Sequence, residues 1–369
     1  MNRRCRDLLP LLLATLVPIL GSSDASAQAE ESTGWRGYQG REDRLLDIRS
    51  RHIRLSPTLT VQEQYDSNIF LVDGDRDEDW ITIEAPAVDL EVGSDKVSGR
   101  VSYLARVLQY NEHDEQDTDE HFLNGGFRWK PGKVFVGVDG SFRLTSDPID
   151  LVLAQRLEIE RDSVTGVAGI DLDPLLIEVH GGHRNYDIRE ELFDRLDYDT
   201  DEIGLSASWK LNEHWKLLAS AVGGWTDYIE DVKNDYDFAE GTLGVHWLPS
   251  ESFGARAEVG YRSNNYDPGS GLSPALDDDY EAVVARLTVL WRPLEDGLVT
   301  VAYSHGPQES VVTHFVTHAR VLLAYEHTFG WRWKVQANGV YERAEESTEA
   351  PQEEKENFGA GAGVTFNIT

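Results

Sequence analysis

From Ile53 to the C-terminus the apolar residues recur at every second position, in segment after segment. That period marks strands with one apolar and one polar face, and leaves few folds open. Leu123, Gly125, Phe127 and Trp129 alternate with Asn124, Gly126, Arg128 and Lys130. Ala285, Leu287, Val289 and Trp291 alternate with Arg286, Thr288, Leu290 and Arg292. Sixteen such segments begin near residues 53, 80, 97, 120, 133, 160, 175, 198, 215, 236, 253, 279, 298, 314, 331 and 357, and most run 11 to 15 residues. A soluble strand averages about 5 to 6 residues, whereas a tilted membrane strand needs about 9 to 11.

The connections alternate in length. Gly93 to Lys96, Pro131-Gly132, Asp173-Pro174, Asn212 to His214, Pro249 to Ser252, Pro293 to Gly297 and Phe329-Gly330 are tight turns. Between them lie long connections, among them Ser67 to Asp79, Ser146 to Ile159, Pro268 to Asp278 and Glu345 to Glu356. An even strand count with short turns at one end and long loops at the other describes an all-β, transmembrane, up-and-down antiparallel β-barrel with both termini in the periplasm. Trp129, Trp209, Trp247 and Trp291 end strands before short turns, and Trp215, Trp331 and Trp333 follow short turns. All seven share the apolar phase, which predicts a periplasmic aromatic girdle.

The first 27 residues read as an export signal. Arg3, Arg4 and Arg6 precede the apolar run Leu8 to Leu20, and Ala25-Ser26-Ala27 supplies small residues for cleavage. Residues 28–52 are a polar periplasmic lead-in, in which Arg41 to Arg51 suits a short helix; a plug or docking element is the alternative. Residues 53–369 form the barrel. Cys5 lies within the signal, so disulfides, thiol nucleophiles and cysteine-ligated zinc are excluded from the cut chain.

The net charge is -32, from 34 Lys+Arg against 66 Asp+Glu, which argues against a nucleic-acid partner. The acids crowd the long loops, whereas the lumenal strand phase carries Arg100, Arg106, Arg128, Arg143, Arg184, Arg256, Arg262, Arg286 and Arg320. Its acids are fewer: Asp139, Glu178, Glu240, Glu258 and Glu326. Two readings follow: the arginines pair with lumenal carboxylates and hold the wall, or they form a positively biased conduit offering bidentate donors to carboxylates.

Tyrosine and aspartate adjoin where strands meet the long loops. The positions are Tyr65, Tyr186, Tyr198, Tyr236 and Tyr266, each followed by Asp, and Tyr228 and Tyr280, each preceded by it. They suit an outer aromatic girdle, or, since most fall in the lumenal phase, stacking faces lining the mouth. The acidic loops read as solvated segments. Asp73 to Asp79 resembles a calcium loop only faintly, because Glu78 stands where the turn glycine belongs. No metal site and no cofactor are expected. No Gly-x-Ser-x-Gly, His-Glu-x-x-His or phosphate-binding glycine loop occurs, so no catalytic residues are assigned and no enzyme is expected.

The first strand, Leu55 to Phe70, ends Tyr65-Asp66-Ser67-Asn68-Ile69-Phe70, and an acidic loop leads to Asp79-Trp80-Ile81-Thr82-Ile83-Glu84-Ala85-Pro86. This opening resembles the outer-membrane β-barrel porin family associated with exopolysaccharide biosynthesis and export. The resemblance implies an outer-membrane barrel over residues 53 to 369 and, by association, a role in exporting surface polysaccharide. The expected function is a passive outer-membrane channel for an anionic exopolysaccharide. A general diffusion porin, or an adhesion barrel acting through acidic loops, is the alternative. The partners implied are outer-membrane lipid, the polysaccharide or small solute in the lumen, and periplasmic export components.

Overall fold

The computed structural model describes residues 48–49, 53–66, 69, 77–94, 96–146, 157–190, 193, 196–229, 234–267, 279–309, 315–330, 333–346 and 354–366. The export signal, most of the lead-in, the centres of several long loops and Trp331 lie outside these residues.

Seventeen strands form one sheet. They are β1 (Ile48–Arg49), β2 (Ile53–Asp66), β3 (Asp79–Gly93), β4 (Val97–Tyr110), β5 (Thr118–Trp129) and β6 (Val134–Thr145). Next come β7 (Ile159–Asp171), β8 (Leu175–Ile188), β9 (Tyr198–Lys210), β10 (Trp215–Tyr228), β11 (Tyr236–Ser250) and β12 (Phe253–Tyr266). The last five are β13 (Tyr280–Leu294), β14 (Gly297–Glu309), β15 (Phe315–Phe329), β16 (Trp333–Glu346) and β17 (Glu354–Phe366). Each pairs antiparallel with its successor, from Ile48↔Leu55 between β1 and β2 to Trp333↔Phe366 between β16 and β17. β17 returns to the side of β2, rolling the meander into a barrel. Sixteen long strands match the alternating segments. The lead-in differs from expectation at Ile48 and Arg49, which their sequence placed in a short helix and which instead pair antiparallel with Leu55 and Arg54.

Turn chemistry explains the tight connections. Ser94 Oγ accepts the Val97 N–H at 3.2 Å, and Asn212 Oδ1 accepts those of His214 and Trp215 at 2.8 and 3.0 Å. Gly330 takes φ +63, a left-handed conformation open to glycine at little cost. The ladders shift register between Trp247 and Ser250 and between Trp291 and Leu294. Pro249 and Pro293 occupy those irregularities, where a missing N–H removes no regular ladder bond.

The register assigns a face to every strand residue. Ile203, Leu243, Val259 and Val283 are outward and 62%, 68%, 58% and 51% exposed. A contiguous apolar exterior of that kind is unfavourable in water and stabilising against hydrocarbon. On β16 the outward apolar stretch runs from Trp333 to Tyr341, about 20 Å of height at a tilt of about 40°. That is close to the roughly 25 Å of an outer-membrane apolar band.

Candidate functional site

Of the seven tryptophans expected in a girdle at the short-turn end, six lie among the described residues and share one face. Trp129, Trp209, Trp215, Trp291 and Trp333 are exposed and outward, and Trp247 stacks on Trp215 at 5.4 Å. A second outward aromatic level lies nearer the long loops and escaped the sequence reading. There Tyr261 donates its phenol to Glu281, Tyr341 donates to Glu356 at 2.8 Å, and Tyr103 bonds His121 at 2.9 Å. The sequence signal was available, since these tyrosines keep the outward phase of their strands.

Above that level both faces change character. On β9 the outward residues Trp209, Leu205 and Ile203 give way to Asp201 and Asp199. On β10 and β11, Asp227 and Asp237 follow outward apolar residues in the same way, as do Asp162 and Glu160 on β7. The inward face becomes apolar over the same rows. Ile81, Ile83, Leu108 and Tyr110 bury Ile69 of the first long loop. Ile159 and Ile188 pack with the loop residues Leu157 and Leu196. The strand ends beyond the apolar band thus carry polar residues outside and apolar clusters inside, the polarity of a water-soluble β-barrel.

Six of the seven mouth tyrosines sit in this collar. Tyr228, Tyr236 and Tyr266 are buried together with Phe238, and Tyr198 and Tyr280 pack against them. Tyr186 stacks on Tyr198 at 4.9 Å, Tyr198 meets Tyr228 at 5.5 Å, and Tyr236 meets Tyr266 at 5.1 Å. The Arg161 and Arg262 guanidiniums lie over Tyr186 and Phe238. Tyr65 is different: it is outward, 47% exposed, and donates to Glu78. Open stacking faces were one expectation for these residues. Burial of Tyr228, Tyr236 and Tyr266 leaves their rings engaged with each other.

Aspartates entering the strands hold the collar's rim. Asp117, Asp197, Asp235 and Asp279 accept the backbone N–H groups of Tyr110, Ile188, Tyr228 and Tyr266 at 2.7, 2.8, 2.8 and 3.3 Å. Asp79 accepts from the backbones of Trp80, Glu112 and His113 at 2.7, 3.0 and 3.0 Å. These carboxylates, read from sequence as solvated loop charge, satisfy donors that the sheet ladder abandons at its edge.

Below the collar the inward wall is charged, and its arginines are matched. Arg100 meets Asp89 at 3.1 Å, Arg106 meets Glu120 at 2.8 Å, and Arg184 bonds Glu202. Arg256 meets Glu258 at 3.0 Å, and Arg286 and Arg262 share Glu240 at 3.0 and 3.9 Å. Arg320 meets Glu342 at 3.2 Å. Arg143 instead stands opposite Arg161, and Arg128 lies over the Phe135 ring. The lumen is therefore much less positive than its arginine count implied. Asp89, Glu120, Glu202 and Glu342 were missed although they keep the inward phase of their strands; only which arginine each meets depends on cross-strand register. Among the described residues, no group of three His, Cys, Asp or Glu is placed to hold a metal ion.

No family model matches the chain, and no curated protein matches it. Solved structures similar to it include the FrpB iron transporter from Neisseria meningitidis, F3-3 variant, at 8% identity and TM-score 0.41, over 86% of this chain and 60% of that one. A bacterial polysaccharide outer membrane secretin matches at 10% identity and TM-score 0.41, over 84% of this chain and 98% of that one. OccAB3 of Acinetobacter baumannii matches at 9% identity and TM-score 0.46, over 85% and 98%. This chain spans about three fifths of the length of the FrpB transporters it matches.

Proposed function

We propose that this protein is an outer-membrane channel, with its short turns in the periplasm and its acidic long loops outside the cell, that exports an anionic polysaccharide. The observation that carries the channel reading is the pairing of an apolar exterior with a charged interior wall. Leu205 is outward and 50% exposed, while its neighbours Ser206 and Gly204 face inward. A wall of that kind is stable when lipid lies outside and water lies inside. The polysaccharide reading is supported by the opening motif around Tyr65-Asp66 and by guanidiniums along the lumen, which suit carboxylates. The energy for movement comes from polymer synthesis at the inner membrane, because a passive wall supplies none.

Neutralised arginines favour a second reading, a diffusion porin for small polar solutes. Paired charges leave a hydrated surface with weak ion preference. Deleting the gene separates the two. Export predicts loss of cell-surface polymer with polymer retained in the periplasm, reversed by complementation. Normal secretion together with slowed uptake of small solutes would establish the porin instead.

A further inference from the structure

Most basic groups of the inward wall face a carboxylate; Arg143 opposite Arg161 departs from that rule towards the long loops, and one row departs from it at the short-turn end. Lys210 at the end of β9 stands opposite Lys216 on β10, Lys216 opposite His246 on β11, and His246 opposite Arg256 on β12. All four are inward, because their neighbours Trp209, Trp215, Leu217 and Trp247 hold the outward phase. Lys210 and Lys216 are like charges directly opposite on adjacent strands, about 5 Å apart at Cβ, which destabilises that pair. At the same end of the barrel opposite charges meet instead, as where Arg54 faces Glu91 at 3.4 Å and Lys334 reaches Glu326 at 2.9 Å.

Within the row Arg256 meets an acid, Glu258 at 3.0 Å. Neither lysine has an ion-pair partner among the described residues, and both side chains are exposed. The next inward positions on these strands, Ser208, Leu218 and Gly244, then Ser206, Ser220 and Thr242, carry no charge. No lumenal acid on β9, β10 or β11 is therefore near enough to relieve the repulsion. An anion would relieve it. At the spacing of adjacent strands the row spans about 14 Å, so an extended chain can place more than one anionic group on it.

We propose that Lys210, Lys216, His246 and Arg256 form an anion-capture row at the short-turn entrance of the lumen, which takes the carboxylates of an acidic saccharide chain. The proposal rests on the channel reading for its purpose, since a chain entering from the periplasm meets this row first. Lysine suits the task because its ammonium is a mobile point charge on a flexible stem, able to follow a moving carboxylate without fixing it.

The test is calorimetric titration of the detergent-solubilised, signal-processed barrel at low salt. The titrants are an oligogalacturonate, galacturonate monomer and a neutral maltooligosaccharide of the same length as the oligomer. Wild type should bind the oligogalacturonate in a salt-sensitive manner, the monomer far more weakly and the neutral chain not at all. K210Q/K216Q should weaken oligomer binding by about tenfold or more. It should also fold as well as wild type, because it removes a repulsion; if its yield falls, K216Q alone serves with K216R as the charge-preserving control. Unchanged affinity in the glutamine variants, equal binding of the neutral chain, or no binding by wild type overturns the proposal. Binding is read without transport, so a barrel that captures the oligomer yet never conducts in bilayers would sink the channel reading and not the row.

Discussion

Asp235 Oδ1 accepts the backbone N–H of Tyr228 at 2.8 Å, so the residue that opens β11 closes the end of β10. The same exchange recurs where Asp197 opens β9 and accepts from Ile188 at 2.8 Å, and where Asp279 opens β13 and accepts from Tyr266. In each case the following tyrosine turns inward to the collar. At these three strand starts a cap and a packing ring thus fall on consecutive residues, while Asp199 and Asp237, which follow two of the tyrosines, face outward.

Asp197 is only 7% exposed, and the N–H it receives belongs to the buried Ile188. Asp197→Ala leaves that donor unpaired, at a cost of about 1 to 3 kcal/mol. The folded band on unboiled gels should melt at a lower temperature than wild type, and Asp197→Asn should recover most of the loss. Identical melting of Ala and wild type would remove the capping role.

Arg320 and Glu342 form a buried ion pair inside the wall, with side chains 9% and 5% exposed. Removing one partner from such a pair costs about 3 to 5 kcal/mol, whereas replacing both by apolar residues of similar volume costs less. Glu342→Gln should therefore lower refolding yield into detergent more than Arg320→Met/Glu342→Leu does. The opposite order would mean that the pair is solvated.

Leu205 and Ser206 test which side meets lipid. An arginine near the midplane of the lipid face costs about 2 to 4 kcal/mol, while one on the lumenal face is tolerated. Leu205→Arg should sharply reduce assembled barrel in the outer membrane, and Ser206→Arg should assemble normally. Equal assembly of both would contradict the lipid-facing assignment.

Tyr236 and Tyr266 pack at 5.1 Å in the aromatic cluster. Replacing both by alanine should loosen the collar and raise single-channel conductance several-fold, with uptake of bulky antibiotics rising in parallel. A double variant that folds and conducts like wild type would show that the collar does not limit passage.

Much of the barrel was legible because a strand side chain has a period of two, and lipid demands that one phase stay apolar. The segment starts near 198, 215 and 236 coincide with strands β9, β10 and β11. The outward exposure of Trp209 and Trp215 follows from the same alternation. The lead-in misled at Ile48 and Arg49, where pairing with β2 outweighed a local helical preference.

Sequence alone determined which residues share a face, since alternation within a strand is a local property of the extended backbone. Only the tertiary structure decided who meets whom across it. Glu342 lies opposite Arg320 and Lys216 opposite Lys210 through register, and register depends on how whole strands slide into the closed sheet. The height of each residue along the barrel was likewise set by closure. It makes Tyr236 part of a buried collar, while the inward phase nearer the membrane centre carries Glu240 and Thr242.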